Sequence, residues 1–199
     1  MARVVVTFLI VAGLGVGAAQ AMMPTETVQK QVTQALEAVT TSPSGHPDGA
    51  KRQQETRRVA DSLFDFTEMS RRALGRHWTD RSPAEREEFV RLFTEVMARS
   101  YLGKIDRYAG ESITYVGERV EGNLAAVESR VVTAKKSEVA LEYRLHRVGE
   151  DRWLVYDVMV DHVSLVGTYR SQFNRIIQTG SFGDLLKRLR EKERALTLD

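Results

Sequence analysis

The sequence predicts an α+β protein in which helices pack around a curved antiparallel meander sheet of about four strands. Apolar residues follow helical spacing up to residue 108 and again after residue 163, but between 112 and 160 the period changes to two. Turn-forming residues divide that middle stretch into consecutive short strands, a pattern typical of hairpins in series. A sheet of this kind curls around whatever volume the helices do not fill, so the architecture leaves room for a cavity.

Residues 1–21 are predicted to be a cleaved signal peptide. Arg3 gives a basic start, an apolar stretch runs from Val4 to about Ala18, and the small residues of Ala19-Gln20-Ala21 form a cleavage site. The stretch is too short to cross a bilayer comfortably, although an uncleaved membrane anchor is the alternative. We therefore expect residues 22–199 to form a single domain.

Composition and charge exclude several classes of function. The chain has 199 residues, of which 42% are hydrophobic and 28% charged, as in an ordinary globular domain. A net charge of +2 is too small to steer the protein toward nucleic acid. Because the chain has no cysteine, it has neither disulfides nor a thiol nucleophile, and burial alone must stabilise it.

The first helices are predicted from spacing and capping residues. A helix from Thr25, its expected N-cap, runs to near Thr40. The segment at 40–50 is rich in proline and glycine and is predicted to be a surface loop. A basic, weakly amphipathic helix follows, and its inward-facing residues are Val59, Ala60 and Leu63.

Two further helix starts show capping boxes. Asp65 is followed three residues later by Glu68, and Ser82 by Glu85, a spacing at which each side chain satisfies a free N–H of the other residue. The second box opens the longest predicted helix. Its wide apolar face consists of Phe89, Leu92, Phe93, Val96, Met97, Tyr101, Ile105 and Tyr108.

Four strands are predicted near residues 112–120, 124–134, 138–147 and 152–160. The third alternates, with an apolar face of Val139, Leu141, Tyr143 and Leu145. The fourth is apolar on both faces, with Leu154, Tyr156 and Val158 on one and Trp153, Val155 and Met159 on the other. Such a strand is typical of a sheet that is covered on both sides.

Asp157, His162 and Ser164 lie within eight positions, which raises the question of a hydrolase triad. An extended chain would hold Asp157 and His162 roughly 15 Å apart, and no G-x-S-x-G elbow surrounds Ser164. Ser164 is instead predicted to be the N-cap of a helix within 163–179, with a final helix after it. Asp157 is a candidate general base, or a structural partner of an arginine or a backbone turn.

Metal and nucleotide chemistry find little support. The four histidines are scattered and form no H-x-x-x-H pair, so we expect no metal site. After the signal region there is no glycine-rich phosphate loop. We expect no cofactor.

Three stretches resemble the toluene-tolerance, or MlaC, family of periplasmic phospholipid-binding proteins. They are LFDFTEMSRRALGRHW at 63–78, the helix from Ser82 to Tyr101, and WLVYDVMVDHVSLVGTYRSQFNRII at 153–177. The likeness covers essentially the whole mature chain in order. It implies a nuclear-transport-factor-like sheet packed with helices around a deep apolar cavity, which holds phospholipid acyl chains without catalysis and leaves the headgroup near the surface.

The resemblance also implies partners and a location. The resemblance implies a monomeric carrier in the periplasm of a Gram-negative bacterium. Such a carrier shuttles lipid between an inner-membrane ABC transporter with an MCE-domain ring and an outer-membrane lipoprotein–porin complex. Arg170 is a candidate for contact with a headgroup or a partner. The expected lipid-binding residues, each of which could also be ordinary core, are Met69, Phe93, Met97, Tyr101, Val139, Leu141, Tyr143, Val155, Tyr169 and Phe173.

Other functions stay open at this point. The ligand could be another lipid, such as a hopanoid. The protein could be a small exported α+β enzyme with Asp157 as general base, or a lipid-free adaptor between two membrane complexes.

Overall fold

The computed structural model describes residues 23–40, 49–105, 111–133 and 136–198. The predicted signal peptide and most of the proline- and glycine-rich loop lie outside these ranges. Within them, no helix is both long and apolar enough to cross a membrane. The helices and strands are α1 Pro24–Thr40, α2 Gly49–Leu63, α3 Phe66–Leu74, α4 Pro83–Ile105, β1 Ser112–Glu121, β2 Leu124–Val132, β3 Glu138–Val148, β4 Arg152–Val160, β5 Val163–Ser164, α5 Leu165–Thr179 and α6 Phe182–Leu198.

The strands form one antiparallel meander in the order β1-β2-β3-β4-β5. The predicted α+β class is confirmed, and the number of strands differs by one. The additional strand, Val163–Ser164, pairs with the end of β4 through a tight turn at Asp161 and His162. A strand of two residues is too short to show a period, so its sequence could not reveal it.

One side of the sheet, which we call the covered face, packs under α1 and α2. Buried residues of this face pack with Val28 of α1 and Leu63 of α2 in an apolar core that we call the sheet cluster. On the opposite side, the open face, Glu128 and Arg130 are exposed. The sheet cluster consists of Val28, Leu63, Ala125, Val127, Tyr143, Leu145, Trp153 and Val155.

A bulge in β4 corrects the predicted faces of this strand. Leu145 of β3 pairs with Val155, but Arg144 pairs with Asp157, so Tyr156 is an extra residue. The bulge shifts the alternation by one position. Val155 and Val158 therefore share the covered face, and the prediction that they point to opposite sides is wrong.

The remaining helices form a second apolar core, the helix cluster, beside the β4 edge of the sheet. It combines buried residues of α3, α4, α5 and α6, and aromatic rings of α4 and α5 contact one another at its centre, with Phe93 and Tyr169 5.0 Å apart between centroids. Phe64, at the junction of α2 and α3, packs against both clusters. The helix cluster consists of Met69, Ala73, Leu74, Phe89, Leu92, Phe93, Val96, Met97, Val166, Tyr169, Phe173, Phe182, Leu185, Leu186 and Leu189.

The helix starts follow the predicted chemistry in three of four cases. The Oγ of Ser82 accepts the N–H of Glu85, whose carboxylate accepts the N–H of Ser82, so this capping box is complete. Asp65 caps α3 and Ser164 caps α5, as predicted. The prediction for Thr25 is wrong: α1 already begins at Pro24, because proline needs no N–H partner in the first turn.

The Asp65 box is only half formed. The side chain of Asp65 accepts the N–H of Glu68, but the N–H of Asp65 donates to the carbonyl oxygen of Val155 in β4. The carboxylate of Glu68 instead accepts hydrogen bonds from Arg71 and Arg72, and the bond from Arg71 does most to lower its pKa. The start of α3 is therefore tied to the sheet.

Candidate functional site

The covered face extends beyond the sheet cluster as an apolar strip. Ser129 pairs with Leu141 and Leu141 with Val160, while Val131 pairs with Val139, so these side chains share that face. Only the part of the strip next to the sheet cluster is fully buried. Ile113, Val131, Val139, Leu141 and Val158 are half-buried, and Val160 is 40% exposed.

Three hydroxyl groups interrupt this apolar surface at the border of the sheet cluster. Tyr115 of β1 pairs directly with Ser129 of β2, and Tyr143 of β3 lies one pair further along on the same face. Ser129 is 2% exposed and Tyr143 7% exposed. We call Tyr115, Ser129 and Tyr143 the hydroxyl patch.

Burial sets the protonation of the two phenols in this patch. It raises the pKa of Tyr115, and the neighbouring Tyr143 adds to that rise. It also raises the pKa of Tyr143, which the nearby Ser129 hydroxyl partly opposes. Ser129 nevertheless has no hydrogen-bond partner of ordinary geometry among the described residues. Both phenols stay neutral hydrogen-bond donors near pH 7.

The structure divides the predicted lipid-binding residues between the two clusters. Met69, Phe93, Met97, Tyr169 and Phe173 all belong to the helix cluster and are buried. Their rings contact one another, with 5.3 Å between the centroids of Phe93 and Phe173. This group is closely packed in the structure, as ordinary core would be.

The sheet residues of the predicted set lie together on the covered face. Tyr143 and Val155 belong to the sheet cluster, Leu141 packs against it, and Val139 follows along β3. Tyr101 lies in the last turns of α4, and its side chain is outside the described part of the structure.

Arg170 is exposed on α5, but its guanidinium is partly engaged. Its Nε donates to the carbonyl oxygen of Arg72 at 2.9 Å, near the end of α3. Its aliphatic stem lies beside Gly75, where an added Cβ would approach the Arg170 Cδ to 3.4 Å. This contact holds α3 and α5 together, and contact with a headgroup or partner stays a prediction.

Asp157 is buried, and both of its carboxylate oxygens are engaged. Oδ2 accepts the Ser164 hydroxyl at 2.6 Å and Oδ1 accepts the N–H of Val166 at 3.0 Å. Arg144 lies at 4.0 Å. The carboxylate thus satisfies the start of α5, where negative charge is favoured by the helix dipole. Its hydrogen bonds therefore serve the junction between β4 and α5.

His162 and Ser164 do not form a triad with Asp157. Ser164 donates its hydroxyl to Asp157, and His162 is exposed in the turn before β5. His146 pairs instead with Asp65 at 3.0 Å. No group of three or more potential metal-ligating side chains occurs among the described residues.

Three cavities formed by the described residues are lined mostly by residues outside the two apolar clusters. One of about 340 Å³ on the open face is lined by Ala140 and Met159 with Glu128, Glu138 and Glu142 among its neighbours. Another, of about 190 Å³, lies further along that face, and a third, of about 470 Å³, lies between α5 and α6. Charged side chains line all three, so none of these three suits an acyl chain.

Fold and site together define an α+β protein with a partly buried apolar surface on one face of an antiparallel sheet. The chain belongs to the MlaC protein family, whose model matches residues 27–191. The family predicted from the sequence is thereby confirmed.

The fold is similar to that of a solved protein. This is the phospholipid-binding protein from Ralstonia solanacearum, determined in complex with a phospholipid. The two chains are 24% identical over 86% of this chain and 97% of that one, with a TM-score of 0.77. The match confirms the predicted fold.

Sequence reasoning missed Tyr115 and Ser129 as candidate site residues. Both share a face with Tyr143. Period-two alternation shows which residues of a single strand share a face, but it does not show which residues of β1, β2 and β3 lie side by side. The pairing of the strands was needed to bring the three hydroxyls together.

Proposed function

We propose that this protein is a non-catalytic lipid carrier that binds phospholipid acyl chains against the covered face. The observation that carries the proposal is the apolar strip, which continues past the sheet cluster through Val158, Leu141, Val139 and Val131 with no charged side chain among these four residues. Family membership and the fold of a phospholipid-binding relative support the same function.

The walls of the site would come from both clusters. Tyr143 and Val155 with Leu141 and Val139 supply the sheet side. On the helix side, acyl chains would displace contacts of the helix cluster. The residues on this side are Met69, Phe93, Met97, Tyr169 and Phe173. Tyr101 of α4 stays a predicted further member.

Transfer free energies explain why a carrier needs no catalyst. Each buried methylene contributes about 0.8 kcal/mol relative to water, so two acyl chains with about thirty methylenes gain roughly 24 kcal/mol. A bilayer offers nearly the same gain. The protein has only to match the membrane and keep the chains dry in transit, which an apolar surface under helices can do.

Location and partners belong to the same proposal. We propose that residues 1–21 direct export and are removed, and that residues 22–199 act in the periplasm as a monomer. There the protein would exchange lipid with an inner-membrane ABC transporter carrying an MCE-domain ring and with an outer-membrane lipoprotein–porin complex. Arg170 stays a candidate for headgroup or partner contact.

The alternative of a pocket enzyme has less support. Its general base would be Asp157, but that carboxylate is occupied by Ser164 and Val166. A general base must be able to reach the proton that it removes.

The test is lipid binding by matched variants on the two faces of β3. Full-length protein is expressed with export in a Gram-negative host, and the purified product is analysed by native mass spectrometry. We expect the wild type to begin at Met22 and to retain phospholipid. Leu141→Arg, on the covered face, should lose the lipid, whereas Ala140→Arg, beside the acidic residues of the open face, should keep it.

The outcomes separate the hypotheses. Wild-type protein without lipid, which also takes up none from vesicles, would refute the carrier. Equal lipid content in Leu141→Arg and the wild type would refute the covered face as the site. A hopanoid in place of a phospholipid would keep the carrier and correct its ligand.

A further inference from the structure

The hydroxyl patch is an unusual feature of a surface that otherwise suits hydrocarbon. Tyr115 and Ser129 are direct cross-strand partners, a position at which Cβ atoms are about 5 Å apart. Tyr143 is their neighbour across β2 and β3, close enough to affect the pKa of Tyr115. Three hydroxyls therefore meet on one face across three strands.

Packing alone does not account for this patch. Ser129 is 2% exposed, and its buried hydroxyl has no hydrogen bond of ordinary geometry among the described residues, with the Tyr143 phenol as its nearby polar neighbour. A buried hydroxyl without a partner destabilises the folded state, and an apolar residue of similar size would fill the same space. Apart from Tyr115 and Tyr143, the neighbours of Ser129 on the covered face are apolar. Val127 and Val131 lie on either side along β2, and Leu141 lies opposite.

We propose that Tyr115, Ser129 and Tyr143 form a polar subsite that donates hydrogen bonds to the acceptor oxygens of a glycerolipid. This inference rests on the proposed function and specifies its ligand. The subsite would bind the part of the lipid where oxygens join the apolar chains. Apolar side chains adjoin it along β2 and β3, so chain and oxygen atoms of one ligand can be satisfied together.

The consequence is selectivity between classes of lipid. A glycerolipid has ester carbonyl oxygens and, in a phospholipid, phosphate oxygens next to its chains. A ligand without such acceptors leaves the three hydroxyls with only one another as neighbours, and a site with buried polar groups rejects a ligand that cannot pair with them. The protein should therefore prefer glycerolipids over pure hydrocarbons of equal length.

The experiment compares the delipidated wild type with the double variant Tyr115→Phe/Tyr143→Phe. These changes remove two hydroxyls and keep both rings. Affinities are measured for dioleoylphosphatidylglycerol and for 1-dodecylpyrene, a fluorescent hydrocarbon without oxygen. We expect the double variant to bind the phospholipid about tenfold more weakly and the hydrocarbon as the wild type does.

Two further ligands identify which oxygens accept the hydrogen bonds. The dialkyl ether analogue of the same phospholipid keeps the phosphate and lacks the carbonyls, whereas dioleoylglycerol keeps the carbonyls and lacks the phosphate. The ligand whose affinity does not change in the double variant lacks the accepting group. Either result supports the polar subsite and assigns its partner.

Ser129→Ala provides an independent measurement in a variant that should fold. We expect this change to weaken phospholipid binding severalfold, and to raise the midpoint of urea unfolding of the lipid-free protein, because an unpaired hydroxyl is removed. A purely structural hydroxyl would give the reverse, a lower midpoint and unchanged lipid affinity.

Contrary outcomes are distinguishable. Phospholipid affinity within twofold of the wild type in the double variant and in Ser129→Ala would overturn the subsite and leave the carrier intact. An equal loss for dodecylpyrene would also overturn it, because the change would then act through packing. If the wild type binds neither phospholipid nor hydrocarbon, the proposed function itself fails.

Discussion

At the scale of single residues, Asp157 shows how one carboxylate can join a strand to a helix. It follows the bulge in β4 and reaches the start of α5, where it accepts hydrogen bonds from the Ser164 hydroxyl and the Val166 N–H. The Ser164 oxygen in turn accepts the N–H of Gly167. Two of the free N–H groups of α5 are thus satisfied by a partly buried chain of hydrogen bonds.

This arrangement predicts a structural penalty for changes at Asp157. We expect Asp157→Ala to lower the free energy of unfolding by about 2 to 4 kcal/mol, because the Ser164 hydroxyl and the Val166 N–H lose a charged acceptor in a buried place. Asp157→Asn, which keeps one acceptor oxygen, should cost less. Urea unfolding followed by circular dichroism measures both. Ser164→Ala is the matched control, with an expected cost of about 1 kcal/mol.

The same variants test the enzyme hypothesis. Folded Asp157→Asn protein should retain its bound phospholipid, as measured by native mass spectrometry. Unfolding free energies equal to that of the wild type in both Asp157 variants would show that the carboxylate is not structural, and would reopen a chemical role for it.

At the scale of elements, the β4–β5 connection is held in a strained conformation. Asp161 and His162 both have positive φ, 46° and 67°, which L-residues with a Cβ adopt at a cost. Asp161 compensates in part, because its N–H donates to the carbonyl oxygen of Ala140 and its Oδ1 accepts the N–H of Ala140. His162 shows no such compensation among the described contacts, and its side chain lines the cavity on the open face.

Glycine at position 162 is therefore predicted to stabilise the protein. Relief of the positive φ is worth about 1 to 2 kcal/mol, and the greater flexibility of glycine in the unfolded chain takes back about 0.5 to 1 kcal/mol. We expect His162→Gly to raise the free energy of unfolding by about 0.5 kcal/mol. Asp161→Gly, which also removes the hydrogen bond from the Ala140 N–H to the Asp161 carboxylate, should not raise it. A loss of stability in His162→Gly would reveal a contact of the imidazole that outweighs the strain.

The elements also show what the sequence could and could not predict. Periodicity and capping residues placed the helices after Asp65, Ser82 and Ser164 and the four long strands, because those signals are local. The bulge at Tyr156 depends on contacts that are distant in sequence. Its neighbour Val155 accepts the N–H of Asp65, and Arg72 stacks 3.8 Å from the centre of the Tyr156 ring. No local pattern in β4 contains those partners.

The candidate site was predictable in part for a similar reason. An apolar period shows which side of Leu141 and Tyr143 is buried, but not which neighbour covers it. The sequence therefore predicts one lining that includes both Met97 and Tyr143, and the structure places these two residues in separate clusters. Only the register of β1, β2 and β3 shows that Tyr115 and Ser129 are neighbours of Tyr143.

At the scale of the whole molecule, two apolar cores meet where α2 ends. The sheet cluster lies under α1 and α2, the helix cluster lies beside β4, and Phe64 contacts both. Arg57 of α2 also bonds Glu95 of α4 at 2.8 Å. A ligand bound along the covered face would add apolar contacts to a fold that has no disulfide. Stability and lipid occupancy should therefore be coupled.

Removal of lipid is predicted to lower the melting temperature. A ligand present at 100 times its dissociation constant stabilises the folded state by about 2.7 kcal/mol, which corresponds to about 5 to 10 °C for a domain of this size. Differential scanning calorimetry before and after delipidation measures the shift, and added phospholipid should reverse it. Ala140→Arg should shift as the wild type does, whereas Leu141→Arg should melt at one temperature with or without lipid. A shift of equal size in Leu141→Arg would place the lipid away from the covered face.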